Sequence, residues 1–229
     1  MNLIRQRDFI DAIILHLIFA AIAMIIFLIP INIENGIRIF ILVLIYNVLI
    51  PSYAYYKKYF SWINIWIFCF LISIFQIFPD WFLSAVLNIL VFPEDGLFKI
   101  GTVSGYMFGL WSIPLFIIVF LTLKIKESHS QKSGYMLNVF ASFLIFTISE
   151  LTIWMLGSWY PQNVTIIFGH LAVYIIIPEI ILGISSYYFY DFIKEKPQLI
   201  KIPISFLIML IYQGAATFFY FIFEYIIFY

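Results

Sequence analysis

Seven apolar stretches, each long enough to cross a bilayer, constrain this 229-residue chain more than any other feature. Hydrocarbon offers no partner to a backbone N–H or C=O, so only helices and closed barrels span it. The runs are near-continuous and lack the short alternating segments of a transmembrane strand. The fold class is therefore all-α, a polytopic membrane helical bundle. Spans are predicted at about 9–30, 36–56, 60–79, 99–123, 136–156, 165–190 and 204–227. Because a spanning helix takes ~20 residues, seven of them leave room only for loops, and 1–229 reads as a single transmembrane helical domain.

Composition agrees. Only 10% of residues are charged, against roughly 25% in soluble domains. With a formal charge of zero, nothing suggests nucleic acid, and the partner that the composition implies is membrane lipid. The single cysteine, Cys69, excludes a disulfide or a cysteine-based metal site within one chain. Nothing in the sequence bears on oligomeric state.

The basic residues matter by position. Arg5, Arg7, Lys57, Lys58, Lys124, Lys126, Lys132, Lys194, Lys196 and Lys201 all fall on one side, leaving only Arg38 and Lys99 opposite. The positive-inside rule then places the N-terminus in the cytoplasm and Tyr229 outside, as in a bacterial plasma membrane. Arg5 and Arg7 before an apolar run, with Ala21-Ile22-Ala23, imitate a signal peptide. The run continues to Ile33, however, which is longer than a signal core and predicts a retained first helix.

Between the third and fourth spans lies the apolar segment 81–92, bounded by Pro79-Asp80 and Pro93-Glu94-Asp95-Gly96. As a helix it reaches only ~18 Å, which predicts a short re-entrant or interfacial segment. A third helix continuing past a Pro79 kink is the alternative. The acids Asp80, Glu94 and Asp95 read as solvated loop residues, with a cation site as the second reading.

Gly101, Gly105 and Gly109 stand at i, i+4 and i+8 of the predicted fourth helix, a spacing that predicts close helix packing. The candidates for chemistry are the ionisable residues placed deep in the spans, which usually face the interior and serve a function. Glu150 and Glu179 are the catalytic candidates, predicted about 5 Å from the midplane on opposite sides of it. Small hydroxyls at Thr147, Ser149 and Thr152 flank the first. Pro178 precedes the second and is predicted to leave the Tyr174 carbonyl without its helical donor. No deep lysine or arginine is available to pair with either glutamate, which makes each a candidate proton donor. His16, Asn47 and Gln213 are deep polar candidates for a substrate pocket, and Tyr106, Trp111, Trp154 and Tyr174 are candidates for its aromatic lining. His170, nine residues before Glu179, is half a turn out of phase with it on a regular helix. The three histidines lack metal-ligand spacing, so no metal and no cofactor are implied. Trp62, Trp66, Trp81, Trp159 and Tyr160, near predicted helix ends, read as an interfacial belt.

The stretch FPDWFLSAVLNILVFPEDGLFKIGTVSGYMFGLWSIPLF, residues 78–116, resembles the distinctive block of an uncharacterised family of small polytopic membrane proteins carrying a domain of unknown function. That resemblance implies a defining outer loop and glycine helix, and no activity. In helix number and paired buried acids, the chain is similar by topology alone to integral-membrane terpene cyclases, which implies acid chemistry on an isoprenoid.

Three functions stay open. One is a membrane-embedded enzyme acting on a lipophilic, isoprenoid-like small molecule through a buried carboxylic acid. Another is a proton-coupled carrier of a small solute, and the third a structural or assembly protein without a ligand. The interior of the bundle discriminates them: an apolar pocket ending on a glutamate, a polar path across the bilayer, or close packing throughout.

Overall fold

The computed structural model describes residues 3–30 and 32–228, with the side chains of residues 3–6 left aside. Tyr229 and the Arg5 side chain, both used above in reading the topology, lie outside the described residues. Seven helices follow one another: α1 (Leu3–Leu28), α2 (Asn35–Lys57), α3 (Phe60–Val86), α4 (Met107–Ser128), α5 (Gln131–Leu156), α6 (Val173–Ile193) and α7 (Gln198–Ile227). All seven are long and apolar enough to cross a membrane, so the all-α bundle stands and fits a multi-pass membrane protein.

Helices α3 to α7 make the centre of the bundle, and α2 packs on α3. Helix α1 lies along α2 and touches α4 through ring contacts of Phe9 and His16 with Phe120 and Phe116. Its Ile10, Leu17, Met24 and Leu28 are exposed, as expected of a helix whose outer face meets lipid. Since lipid tails are as apolar as leucine, contacts between spans rely on small residues and hydrogen bonds. Asn47 shows this: its Oδ1 accepts from Trp66 Nε1 at 3.0 Å and Ser112 Oγ at 2.8 Å, while its Nδ2 donates to the carbonyls of Val43 at 2.9 Å and Gly109 at 3.2 Å. One amide thus ties α2, α3 and α4. Buried Lys201 does the same for α7 and α3, donating to the Asn64 carbonyl at 3.1 Å, the Asn64 side chain at 3.2 Å and Gln198 Oε1 at 2.6 Å.

At the end carrying the N-terminus the links are short, residues 58–59, 129–130 and 194–197. At the other end the connections 87–106 and 157–172 build a cap from six two-residue strands. These are β1 (Leu90–Val91), β2 (Lys99–Ile100), β3 (Val103–Ser104), β4 (Tyr160–Pro161), β5 (Ile166–Ile167) and β6 (Leu171–Ala172). They pair antiparallel as β1 with β4, β2 with β3 and β5 with β6, so β1–β4 joins the two connections. Asp95 organises the cap, accepting from the Leu97 N–H at 3.0 Å, Lys99 Nζ at 3.3 Å and Ser104 Oγ. Its carbonyl also accepts from the Gly36 N–H at 3.0 Å, at the start of α2.

Three boundaries differ from expectation. The segment 81–92 is not a separate re-entrant piece: after a turn at Gln76 the third helix resumes over Ile77–Trp81 and widens into a π-helix over Phe82–Val86. Pro79 is the third residue of the resumed segment, where a missing N–H interrupts no helical bond. Residues 99–106 form a hairpin and a turn, and α4 begins only at Met107. Gly101, at φ 63°, turns that hairpin, and Gly105 abuts the Phe98 ring. Of the three glycines only Gly109 makes a helix crossing, against Val43 and Asn47. The spacing of i, i+4 and i+8 matched a helix period by coincidence. Similarly, α6 starts at Val173, because 166–172 is a hairpin.

Candidate functional site

Three carboxyls come together beneath the cap: Asp80 of α3, Glu150 of α5 and Glu179 of α6. Each sits six residues from the capped end of its helix, as the ends at Val86, Leu156 and Val173 show. At 1.5 Å per residue that is a common depth of about 9 Å. The expectation that Glu150 and Glu179 straddle the midplane is thereby corrected, since both belong to the capped third of the bundle.

The three acids line a cavity of about 30 Å³ with Trp111, Trp159, Tyr174 and Tyr212. A polar cavity of this size accommodates one water. Trp111 Nε1 donates to Asp80 Oδ2 at 3.1 Å, and Trp159 Nε1 donates to both carboxyl oxygens of Glu150, at 3.1 and 3.3 Å. Glu179 is only 2% exposed, and its Oε2 has no hydrogen-bond partner among the described residues. No lysine or arginine lines the cavity. The acids do not converge on one point: among the described residues no three His, Cys, Asp or Glu side chains are placed to hold a metal ion.

A second, apolar cavity of about 220 Å³ adjoins the first between α4 and α5 and shares Met107, Trp111, Glu150, Trp159 and Glu179 with it. Its remaining walls include Leu110, Ile113, Pro114, Ile117, Ile145 and Ile153. All six are partly exposed, so the crevice reaches the outer surface of the bundle. The local geometry is therefore an apolar, laterally open crevice that ends on carboxyls, with a small polar chamber behind them.

Each proline follows an irregularity in its span. Pro178 is the third residue of the α-helical part of α6, Ile176–Ile193, and Pro114 the third of Ser112–Ser128 in α4. In α4 the helix is interrupted at Trp111, three residues before Pro114, and Tyr174 belongs to a 3₁₀ turn that leads into the α-helical part of α6. Glu179 consequently lies in the first turn of its helix, where the macrodipole presents its positive end.

Of the other candidates, Trp111 and Tyr174 join the site. Tyr106 donates to the Ser158 carbonyl at 2.8 Å and holds the cap together. Trp154, at the capped end of α5, and His170 of the cap stack on each other at 3.5 Å, away from both cavities. His16 bonds to Tyr46 OH at 3.0 Å and lines a groove between α1 and α4. Asn47 is a packing hub, and Gln213 lines neither site cavity. Asp80, Trp159 and Tyr212 are the residues that the sequence reading missed. Asp80 was placed in a solvated outer loop and Trp159 in the interfacial belt; a third helix carried on to Val86 would have moved Asp80 into the membrane. Asp95, another of the three acids considered for an outer cation, is occupied by Lys99 and Ser104.

The profile of a family described as a domain of unknown function (DUF6989) matches residues 77–223, well over half of the chain. The chain belongs to the DUF6989 family. The DUF6989 match takes in Asp80, Glu150, Trp159, Glu179 and Tyr212, so the whole site lies inside the domain, while His16 and Asn47 lie outside it. No curated protein and no solved structure matches the chain.

Proposed function

We propose that this protein is a membrane-embedded enzyme that uses a buried carboxylic acid to protonate a neutral, lipophilic, isoprenoid-like substrate. The observation that carries this reading is the lateral apolar crevice ending on Glu150 and Glu179. A substrate dissolved in the bilayer enters such a crevice without crossing water. An all-carboxyl end wall without lysine or arginine suits an uncharged reacting group and repels a phosphate. Glu179, with an oxygen that no neighbour holds, is assigned as the acid: its O–H breaks as a C–H or O–H bond forms on the substrate. The indole faces of Trp111 and Trp159 suit the resulting positive charge. Glu150 or Asp80 then takes up the proton that the product releases and gives it to water, and Glu179 regains a proton from water, so the cycle consumes none overall.

The carrier reading uses the same glutamates, changing protonation during alternating access, together with Pro114 and Pro178, and the lack of an internal repeat in the sequence counts against it. A purely structural role leaves the crevice and the uncompensated acid without a purpose. Orientation is part of the proposal: with ten of the twelve basic residues at the N-terminal end, that end is assigned to the cytoplasm and the cap to the outside. A reporter inserted in the 129–130 link checks this, and activity of a reporter that works only outside the cytoplasm rejects it.

The chemistry is tested by incubating the protein in lipid nanodiscs with a neutral farnesyl-type epoxide in D₂O. A deuterium-bearing isomer or cyclised product is expected from the native chain and is lost in Glu179→Gln, which keeps shape but delivers no proton. Equal product from both chains, or none from either, overturns the assignment.

A further inference from the structure

We propose that the seam between α5 and α6 is a proton route linking Glu179 to the N-terminal end of the bundle. Five buried side-chain atoms along it lack a hydrogen-bond partner among the described residues: Glu179 Oε2, Ser142 Oγ, Asn138 Oδ1, Ser186 Oγ and Tyr187 OH. All five residues are at most 2% exposed. An unpartnered buried polar atom is costly, and native interiors keep few of them. Further atoms of this kind, on Asp8, Trp62, Gln76 and Ser205, are spread over α1, α3 and α7, while Asn47, Ser112 and Ser73 are paired. Five on one seam ask for a function.

The positions form a ladder. On α6, Glu179, Gly183, Ser186 and Tyr187 recur at helical spacing and share one face, one turn of about 5 Å apart. From α5, Ser142 and Asn138 point at the same face: a Cβ at Gly183 would collide with Ser142 Oγ and lie 3.6 Å from Asn138 Oδ1. Asn138 also donates to the Gly183 carbonyl at 3.2 Å and to Thr122 Oγ1 of α4 at 3.1 Å. One turn beyond, Tyr187 packs edge-on against Tyr135 of α5 at 5.2 Å. The ladder ends at Asp191, which accepts from Lys126 at 2.6 Å and faces Lys194 at 3.1 Å at the partly exposed N-terminal end.

A proton taken from water beside Asp191 moves by hops among the tyrosine and serine hydroxyls and single waters between them. Each hop breaks one O–H bond and forms the next, and the last makes the O–H of the Glu179 carboxyl. One proton is transferred and nothing is oxidised or reduced. The route holds whatever reaction Glu179 serves, and it gives the acid a supply of protons from the side opposite the cap.

The test follows the Glu179 carboxyl stretch by infrared spectroscopy, the band being assigned by its loss in Glu179→Gln, with protein in phosphatidylcholine nanodiscs switched from H₂O to D₂O. Ser186→Ala, Tyr187→Phe and Ser142→Ala are expected to slow the deuterium shift about tenfold, the equivalent of one lost hydrogen-bonded link. Ser73→Ala, which removes a buried hydroxyl of α3 outside the seam, is expected to leave the rate unchanged. Tyr187→Phe keeps the ring and its packing, so it reads the route even if a serine variant misfolds. Native rates in the seam variants, equal slowing in Ser73→Ala, or no Glu179 carboxyl band at any accessible pH each overturn the proposal.

Discussion

Trp159 donates its indole N–H to both carboxyl oxygens of Glu150, 3.1 and 3.3 Å away, and so fastens the cap to α5 at the floor of the apolar crevice. Trp111 holds Asp80 in the same manner at 3.1 Å from the first turn of α4. Two of the three acids are thus fixed by indoles that also wall the crevice, and Glu179 keeps an oxygen free. The cap, remote from Glu150 in sequence only by a short connection, is therefore part of the site rather than a cover over it.

Trp159→Phe keeps the ring and removes the donor. Because it takes a hydrogen bond from a part-buried carboxyl, the variant is expected to lose about 1 kcal/mol of stability. Its crevice keeps its shape. Detergent-resistant unfolding followed by tryptophan-independent circular dichroism measures the loss, and an unchanged midpoint rejects the view that this bond holds the cap on α5.

Gly183 and Gly214 separate close packing from backbone freedom. A Cβ at Gly183 collides with Ser142 Oγ and meets Ser142 Cβ at 2.8 Å, whereas at Gly214, inside α7, it meets nothing within 4 Å. Gly183→Ala is expected to push α5 from α6 and destabilise by about 1–3 kcal/mol, an overpacking cost. Gly214→Ala is expected to stabilise by up to about 1 kcal/mol through helix propensity. Parallel thermal melts decide, and equal effects at the two sites contradict the packing account.

Seven helices were legible because a bilayer demands one simple signal, about twenty apolar residues, that needs no partner to be read. The cap was not. Its strands are two residues long, and their apolar residues continue the hydropathy of the neighbouring spans, so Lys99 to Gly105 and Thr165 to Ala172 passed for helix. Glu150 and Glu179 stood out as costly residues inside predicted spans. Asp80 did not, because Pro79 before it reads as a helix stop in sequence and acts as a first-turn residue in the fold. The partnering of Trp159 and Tyr212 with these acids depends on helix order around the bundle, which hydropathy does not encode.

Tyr59 provides a pH signature at the N-terminal end, between α2 and α3. Its hydroxyl donates to Asp11 Oδ2 at 2.9 Å. Burial first, then this bond, pushes Tyr59 up to about 12. Since the folded chain prefers the protonated phenol, this contribution to stability is complete below the ordinary tyrosine value of about 10 and is lost as pH rises through about 12. Ultraviolet titration of tyrosinate should show the Tyr59 phenol moving down in Asp11→Asn, and only part of the way because burial remains. A titration curve identical to that of the native chain contradicts the assigned bond.

Asp95 is the residue on which the cap turns. Only 4% exposed, it gathers the Leu97 N–H, Lys99 Nζ and Ser104 Oγ, and Lys99 also reaches the Pro93 carbonyl at 2.5 Å and Ser104 at 2.6 Å. Breaking such a buried pair from one side leaves the other charge uncompensated, so Asp95→Ala is expected to cost about 3–5 kcal/mol locally. The effect should spread along the cap. Tyr106 of this connection bonds to the Ser158 carbonyl, and β1 pairs with β4, so amide exchange is expected to rise over both 90–106 and 157–161 while α3 and α6 stay protected. Lys99→Met, which removes a partly exposed partner and leaves the carboxylate its other donors, should raise exchange less. Exchange that rises only around residue 95, or equally throughout the helices, would show that the two connections do not form one cooperative cap over the acids.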